Sequence, residues 1–220
     1  MHFELEAFLG RYQFPWMIAV LVLLLVLETY RPLVRERRGR LVRGLRHGGL
    51  FLLGLGVFGF IIVLTNTLAV SAAEHHFGLL NRVSLPGPVH VVLGLLVLDL
   101  GSYGRHVLSH KVPLLWRLYR VHHSDPELDV TTLFRFHPLE SLLVLLGQLV
   151  TVVAFGVPVL ALLLYAVLNL TSELLQHANL RLPARVDRWL SWVFTSPGMH
   201  HVHHSRHVEQ TDTHYAALFA

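Results

Sequence analysis

The sequence predicts an all-α integral membrane helical bundle. It should have about three transmembrane spans, a re-entrant or spanning helical hairpin, and a histidine-rich metal site at the cytoplasmic face. Three observations carry this. Of 220 residues, 53% are hydrophobic and only 15% charged, against roughly 25% charged in an ordinary soluble domain. Several long stretches carry no charge. Histidine is abundant, at 17 residues, and 12 of these follow residue 100 in clusters. Cysteine is absent, which excludes disulfide scaffolds, thiolate metal sites and cysteine nucleophiles. The net charge of +4 on so apolar a chain points to an anionic membrane surface rather than to nucleic acid.

The first apolar run covers residues 14–27, between Arg11 and Glu28. It is near the shortest span, about 17 residues, and Tyr12, Trp16 and Tyr30 stand where interfacial aromatic anchors belong. Glu4 and Glu6 precede it and no small-residue cleavage site follows, so it reads as a retained helix rather than a leader. Arg31, Arg35, Arg37, Arg38, Arg40, Arg43 and Arg46 come next. They read as a solvated charge run that holds this loop in the cytoplasm. Residues 48–73 form the second span. Glu74, His75 and His76 lie in an outer loop, and residues 85–100, with His90 and Asp99, return the chain to the cytoplasm near residue 103. Residues 141–172 carry no charge and are interrupted at Gly156, Val157 and Pro158. Proline breaks a helix interior, so this stretch predicts two short helices in a hairpin, with His137 and His177 on one side. No internal repeat or second domain is evident. The expectation is one domain over 1–220, with a membrane anchor region at about 12–80 and a histidine-rich region at about 97–215.

His106 and His110 are four residues apart, so both imidazoles share a helix face. His122 and His123 are adjacent. His200, His203 and His204 stand at i, i+3 and i+4 within a group that also holds His201 and His207. Neutral imidazole suits iron, zinc, copper and nickel, and eight or more such groups would furnish two ions. Each ligand should pass its second N–H to a carboxylate or carbonyl. Asp99, Asp125, Glu140, Asp187 and Asp212 lie at the cluster margins. Scattered His2, His47, His75, His76, His90 and His214 read as ordinary surface or core residues. A histidine pH sensor does not require helix-face spacing in separate segments.

In these stretches the sequence resembles the fatty acid hydroxylase/sterol desaturase superfamily of membrane non-haem diiron oxygenases. The resemblance rests on Asp99, Tyr103, His106 and His110; on residues 114–140 with His122, His123 and the Arg-Phe-His-Pro histidine His137; on His177; and on residues 195–212. It implies that His106, His110, His122, His123, His177, His200, His203 and His204 hold two iron ions at the cytoplasmic face, with zinc as a substitute after purification. Tyr119, His137, Asp99, His201 and Asp212 are candidate further ligands or supports. The implied reaction oxidises a C–H bond of a fatty acyl, sterol or related lipid with O2, by hydroxylation or desaturation. No flavin, nicotinamide or haem fingerprint is present, so electrons would come from a separate reductase, ferredoxin or cytochrome. The expected location is a bacterial inner membrane.

Four features depart from the family pattern. Tyr119 stands where the second histidine box usually opens with histidine, and Val107 stands where arginine is usual. The sequence stops at Ala220, where the family continues into a Trp-Asp-containing tail, and His214 replaces a common asparagine. These departures support an alternative: an inactive metal- or lipid-binding relic of the same fold. A metal transporter would need ionisable groups along its spans, whereas these histidines belong to one face.

Overall fold

A computed structural model describes residues 2–35 and 39–219, with the side chains of residues 2 and 3 left aside. Arg37, Arg38 and Ala220 lie outside the described residues, as does the side chain of His2. The helices are α1 (His2–Tyr30), α2 (Arg40–Glu74), α3 (Gly87–Lys111), α4 (Pro113–His123), α5 (Pro138–Phe155), α6 (Val159–His177), α7 (Ala184–Leu190), α8 (Pro197–His203) and α9 (Val208–Thr211). Among the described residues only two isolated β-bridges occur, Pro32 with Leu180 and Phe194 with Phe219. Among the described residues five helices, α1, α2, α3, α5 and α6, are long and apolar enough to cross a membrane. The count exceeds three because both arms of the hairpin qualify.

The first helix is longer than its apolar run. Charge at Arg11 ends the lipid-compatible stretch but not the helix, which starts at His2 and has Glu4 in its first turn, where a carboxylate suits the helix dipole. Likewise α3 does not end near residue 100. It continues through His106 and His110 to Lys111, so one helix runs from the apolar layer into the histidine cluster.

The bundle has two distinct ends. At one, Gly156 terminates α5 in the left-handed region at φ 66°, and Gly78 faces it at φ 91°. A Cβ on Gly78 would lie 2.3 Å from the Gly156 nitrogen, so only glycine permits this approach. Leu79 N–H donates to the Ala154 carbonyl at 3.2 Å. At the other end the α1–α2 connection meets the segment after α6: Leu33 N–H donates to Asn179 O at 3.1 Å and Arg181 N–H to Arg31 O at 2.9 Å. Between the ends, α1 packs on α6 and α2 on α5, while α3 touches α4, α5 and α6. A core of Ala69, Leu98, Val152, Val157, Ala161, Leu162, Tyr165 and Leu218 joins α2, α3, α5 and α6, and Leu24 ties α1 to Leu174 of α6 in a second. Leu52, Leu53, Phe60, Val63 and Val150 remain exposed on the outside, as lipid-facing positions should.

The arginine run is not simply solvated. Arg40 pairs with buried Glu28, whose other oxygen accepts from Val130 N–H at 2.8 Å and Asn179 N–H at 2.7 Å. Arg43 pairs with Asp129 and, at 2.9 Å, with Glu127. Asp125, which the sequence placed at the histidine margin, instead accepts from Thr132 at 2.7 Å and faces buried His47 at 3.3 Å. This network ties α1 and α2 to the loop that follows α4, because buried charges persist only when paired.

Candidate metal centre

Three long or medium helices aim their C-terminal ends at one place. α3 brings His106 and His110 in its last turns, α4 ends on His122 and His123, and α6 ends on His177. The short α8 adds His200 and His203, with His204 as its C-cap. Its own start is fixed by Pro197 and by the Ser196 side chain, which accepts from Met199 N–H at 3.3 Å. Helix C-termini carry partial negative charge and favour a cation.

The eight clustered histidines sort into two groups. His106, His110, His123 and His203 form the first, and His122, His177, His200 and His204 the second. Within each group, one nitrogen per residue lies within 4.8 Å of the others. The first group is mostly half-buried, whereas the second is mostly buried.

The hydrogen bonds fix which nitrogens carry lone pairs. His106 Nδ1 donates to the Tyr215 carbonyl at 2.8 Å and His203 Nδ1 to the Thr213 carbonyl at 2.7 Å. A neutral imidazole has one N–H, so both Nε2 atoms bear lone pairs, yet they lie 3.0 Å apart. His177 is anchored in the same way, while no bond at Nδ1 fixes the tautomers of His122 and His200. The His177 Nδ1 donates to Glu173 O at 2.7 Å, and its Nε2 meets the Nε2 atoms of His122 and His200, each at 3.0 Å. Further nitrogens on His110, His122, His123, His200 and His204 are buried without partners among the described residues. Imidazole nitrogens about 2.1 Å from one ion and at right angles to each other would be about 3.0 Å apart. The donor set therefore fits a cation better than it fits itself.

Burial keeps these rings neutral. Desolvation, and then neighbouring histidines, hold His122, His123, His200 and His204 well below the usual histidine range. His203 is pushed down to about 3, chiefly by desolvation. Neutral rings are what metal ligation needs.

The other candidates have separate roles. Tyr119 is buried and its hydroxyl donates to His106 Nε2 at 2.8 Å. Burial pushes its phenol well above the usual range, so it stands as a hydrogen-bond donor. Asp212 faces His110 Nδ1 at 3.4 Å, is paired with Lys111 at 2.6 Å, and accepts from Tyr215 at 3.0 Å. His137 caps α5, accepting from Leu139 N–H at 3.2 Å, and belongs to neither group. Glu140 completes that cap from the N3 position. Asp99 holds the C-terminal segment, accepting from Tyr165 at 3.2 Å and from Leu218 N–H at 3.0 Å. His201 donates to Ala178 O at 3.2 Å, away from both groups. Asp187 lies against Gly198 at the start of α8.

Sequence reasoning missed the supporting carbonyls of Thr213, Tyr215 and Glu173. Backbone acceptors leave no residue-type signal. It also missed Phe136, whose ring stacks on His122 at 5.4 Å. The Arg-Phe-His-Pro stretch was the available signal, read at the wrong residue.

A cavity of about 560 Å³ runs from these histidines into the bundle. His106, His122, His177 and His200 line its polar end, and Trp16, Phe58, Ile62 and Leu145 belong to its apolar wall. Two carbonyl-anchored imidazole groups, at one end of five membrane-length helices and open to an apolar slot, define the class: a membrane protein built around a candidate metal centre. The fatty acid hydroxylase family model matches residues 91–220, and the chain belongs to that family. It is 32% identical over 131 residues to the ornithine lipid hydroxylase OlsE of Rhizobium tropici, covering 59% of this chain and 38% of that protein. It is 27% identical over 126 residues to alkylglycerol monooxygenase of Xenopus tropicalis, covering 56% of this chain and 27% of that protein. The match thus spans well under half of either relative. No solved structure matches the chain significantly.

Proposed function

We propose that the protein is a membrane-bound, diiron-dependent lipid hydroxylase, with one ion at each histidine group. The observation that carries this reading is the meeting of the His106 and His203 lone-pair nitrogens, beside the convergent His122, His177 and His200, at the head of an apolar cavity. Membership of the fatty acid hydroxylase family, and the lipid hydroxylase and monooxygenase named among its relatives, support lipid hydroxylation. Iron bound there supplies O2 activation and oxidation of an unactivated C–H bond.

The chain's own residues do the rest. The Tyr215, Thr213 and Glu173 carbonyls set the tautomers of His106, His203 and His177, so each turns Nε2 inward. Phe136 fixes the plane of His122. Trp16, Phe58, Ile62 and Leu145 take the lipid chain and exclude water around the reacting carbon. Arg31, Arg35, Arg40, Arg43, Arg46 and Arg181 crowd the end of the bundle that bears the histidines, which supports a cytoplasmic site by the positive-inside rule. A bacterial inner membrane and a separate electron-donating partner complete the reading.

One observation favours the inactive relic. The Tyr119 hydroxyl occupies the His106 lone pair and so competes with an ion in the first group. Iron-loaded protein in lipid nanodiscs, supplied with ferredoxin, ferredoxin reductase, NADPH and ¹⁸O₂, decides between them. Hydroxylated lipid carrying ¹⁸O is expected from the natural chain. Product from Tyr119→His alone would establish the relic instead.

A further inference from the structure

The cavity is lined by a cation with no hydrogen bond and no close ion pair among the described residues. Arg105 precedes His106 on α3 and lines the cavity with Ser102 and Ser109, three residues before it and four after, hence on the same helix face. Its stem lies along α5: a Cβ on Gly147 would be 2.3 Å from Arg105 Cδ. Glycine at 147 is therefore what lets the side chain occupy this path. A guanidinium offers five N–H donors in a planar fork. Among the described residues, Arg105 makes no hydrogen bond and no ion pair within 4.0 Å, in contrast to Arg40 and Arg43. Glu173 lines the same cavity, bound by Asn169 at 3.0 Å, and attracts the guanidinium from beyond ion-pair distance. An arginine that lines a largely apolar cavity with no hydrogen-bonded partner leaves its donors for a ligand. The fork matches a carboxylate or phosphate bidentately.

We propose that Arg105 is the anchor for an anionic group of the lipid, a carboxylate or a phosphate, that enters this cavity. The inference rests on the lipid-hydroxylase reading and adds the substrate class: acidic lipids rather than neutral sterols or alcohols. The anchored head stands beside the histidine groups, and the apolar wall receives the chain.

The test is equilibrium binding to purified, metal-depleted protein in detergent, using radiolabelled palmitate, 1-palmitoyl-lysophosphatidate and hexadecanol. The natural chain should bind one or both anions about thirtyfold or more tightly than hexadecanol, and the tighter anion names the source. Arg105→Met should abolish the preference. Arg105→Lys, which keeps the charge and loses the fork, should give an intermediate preference, and it carries the test if Arg105→Met fails to remain monodisperse. Equal affinity of the natural chain for anion and alcohol overturns the proposal, as does a preference that survives in Arg105→Met. Because no turnover is involved, the two readings fail separately. A charge preference without ¹⁸O product defeats the hydroxylase reading alone, whereas product without a preference defeats the anchor alone.

Discussion

The two histidine groups are built from similar ligands in different surroundings. The first, His106, His110, His123 and His203, is mostly half-buried and surrounded by competing polar groups. Tyr119 donates to His106, and Asp212 faces His110 while also engaging Lys111. The second, His122, His177, His200 and His204, is mostly buried, and its central residue is fixed by a carbonyl within its own helix. Three members of the second group line the cavity, against one of the first. The difference teaches that equal ligand counts need not give equal sites. The Tyr119 hydroxyl bonds to one group only, so the second should be the tighter and the first the one open to tuning.

The strongest way to break this comparison is to remove a ligand from each side. His177→Ala should empty the second group and leave the first, lowering product formation by more than about 100-fold, beyond the effect of a supporting residue. Metal analysis with lipid mass spectrometry checks it, and loss of both ions would show that the groups are not separable. Asp212→Asn should weaken metal retention by about 10–100-fold in the first group alone, as measured by competition with a chelator.

A third test uses pH on metal-depleted protein. His203 has its folded pKa depressed to about 3, against roughly 6.5 when unfolded. The unfolded chain therefore binds the proton first. The contribution is complete above about pH 6.5 and is lost as pH falls toward 3, at up to ~1.4 kcal/mol per pH unit. Thermal unfolding in detergent should move to lower temperature between pH 7 and pH 5. The smallest effect is expected from Tyr119→Phe. It deletes one hydrogen bond, of about 1 kcal/mol, and frees the His106 lone pair. Metal retention in the first group should rise about fivefold, with the second group unchanged.

Much of this was legible in the sequence because the signals were periodic or chemical. Uncharged runs marked the membrane helices, Gly156 and Pro158 marked the hairpin, and spacings of three and four marked the shared helix faces of His106 with His110 and of His200 with His203 and His204. Helix ends were less legible. Charge limits residence in lipid and not the helix itself, so α1 begins well before its apolar run and α3 ends well after. The division of the histidines into groups was hidden, since adjacent His122 and His123 point to different ones. Supporting partners were hidden too, because three of them are carbonyls. His137 shows the converse: a residue type suited to a metal that serves as a helix cap.

Metal content per chain decides whether both histidine groups hold an ion. It should be measured by mass spectrometry on protein purified in mild detergent from iron-supplemented cells, beside His203→Ala. The two-group arrangement predicts about two ions in the natural chain and about one in the variant. An unchanged content in the variant, or no bound metal in the natural chain, would contradict it.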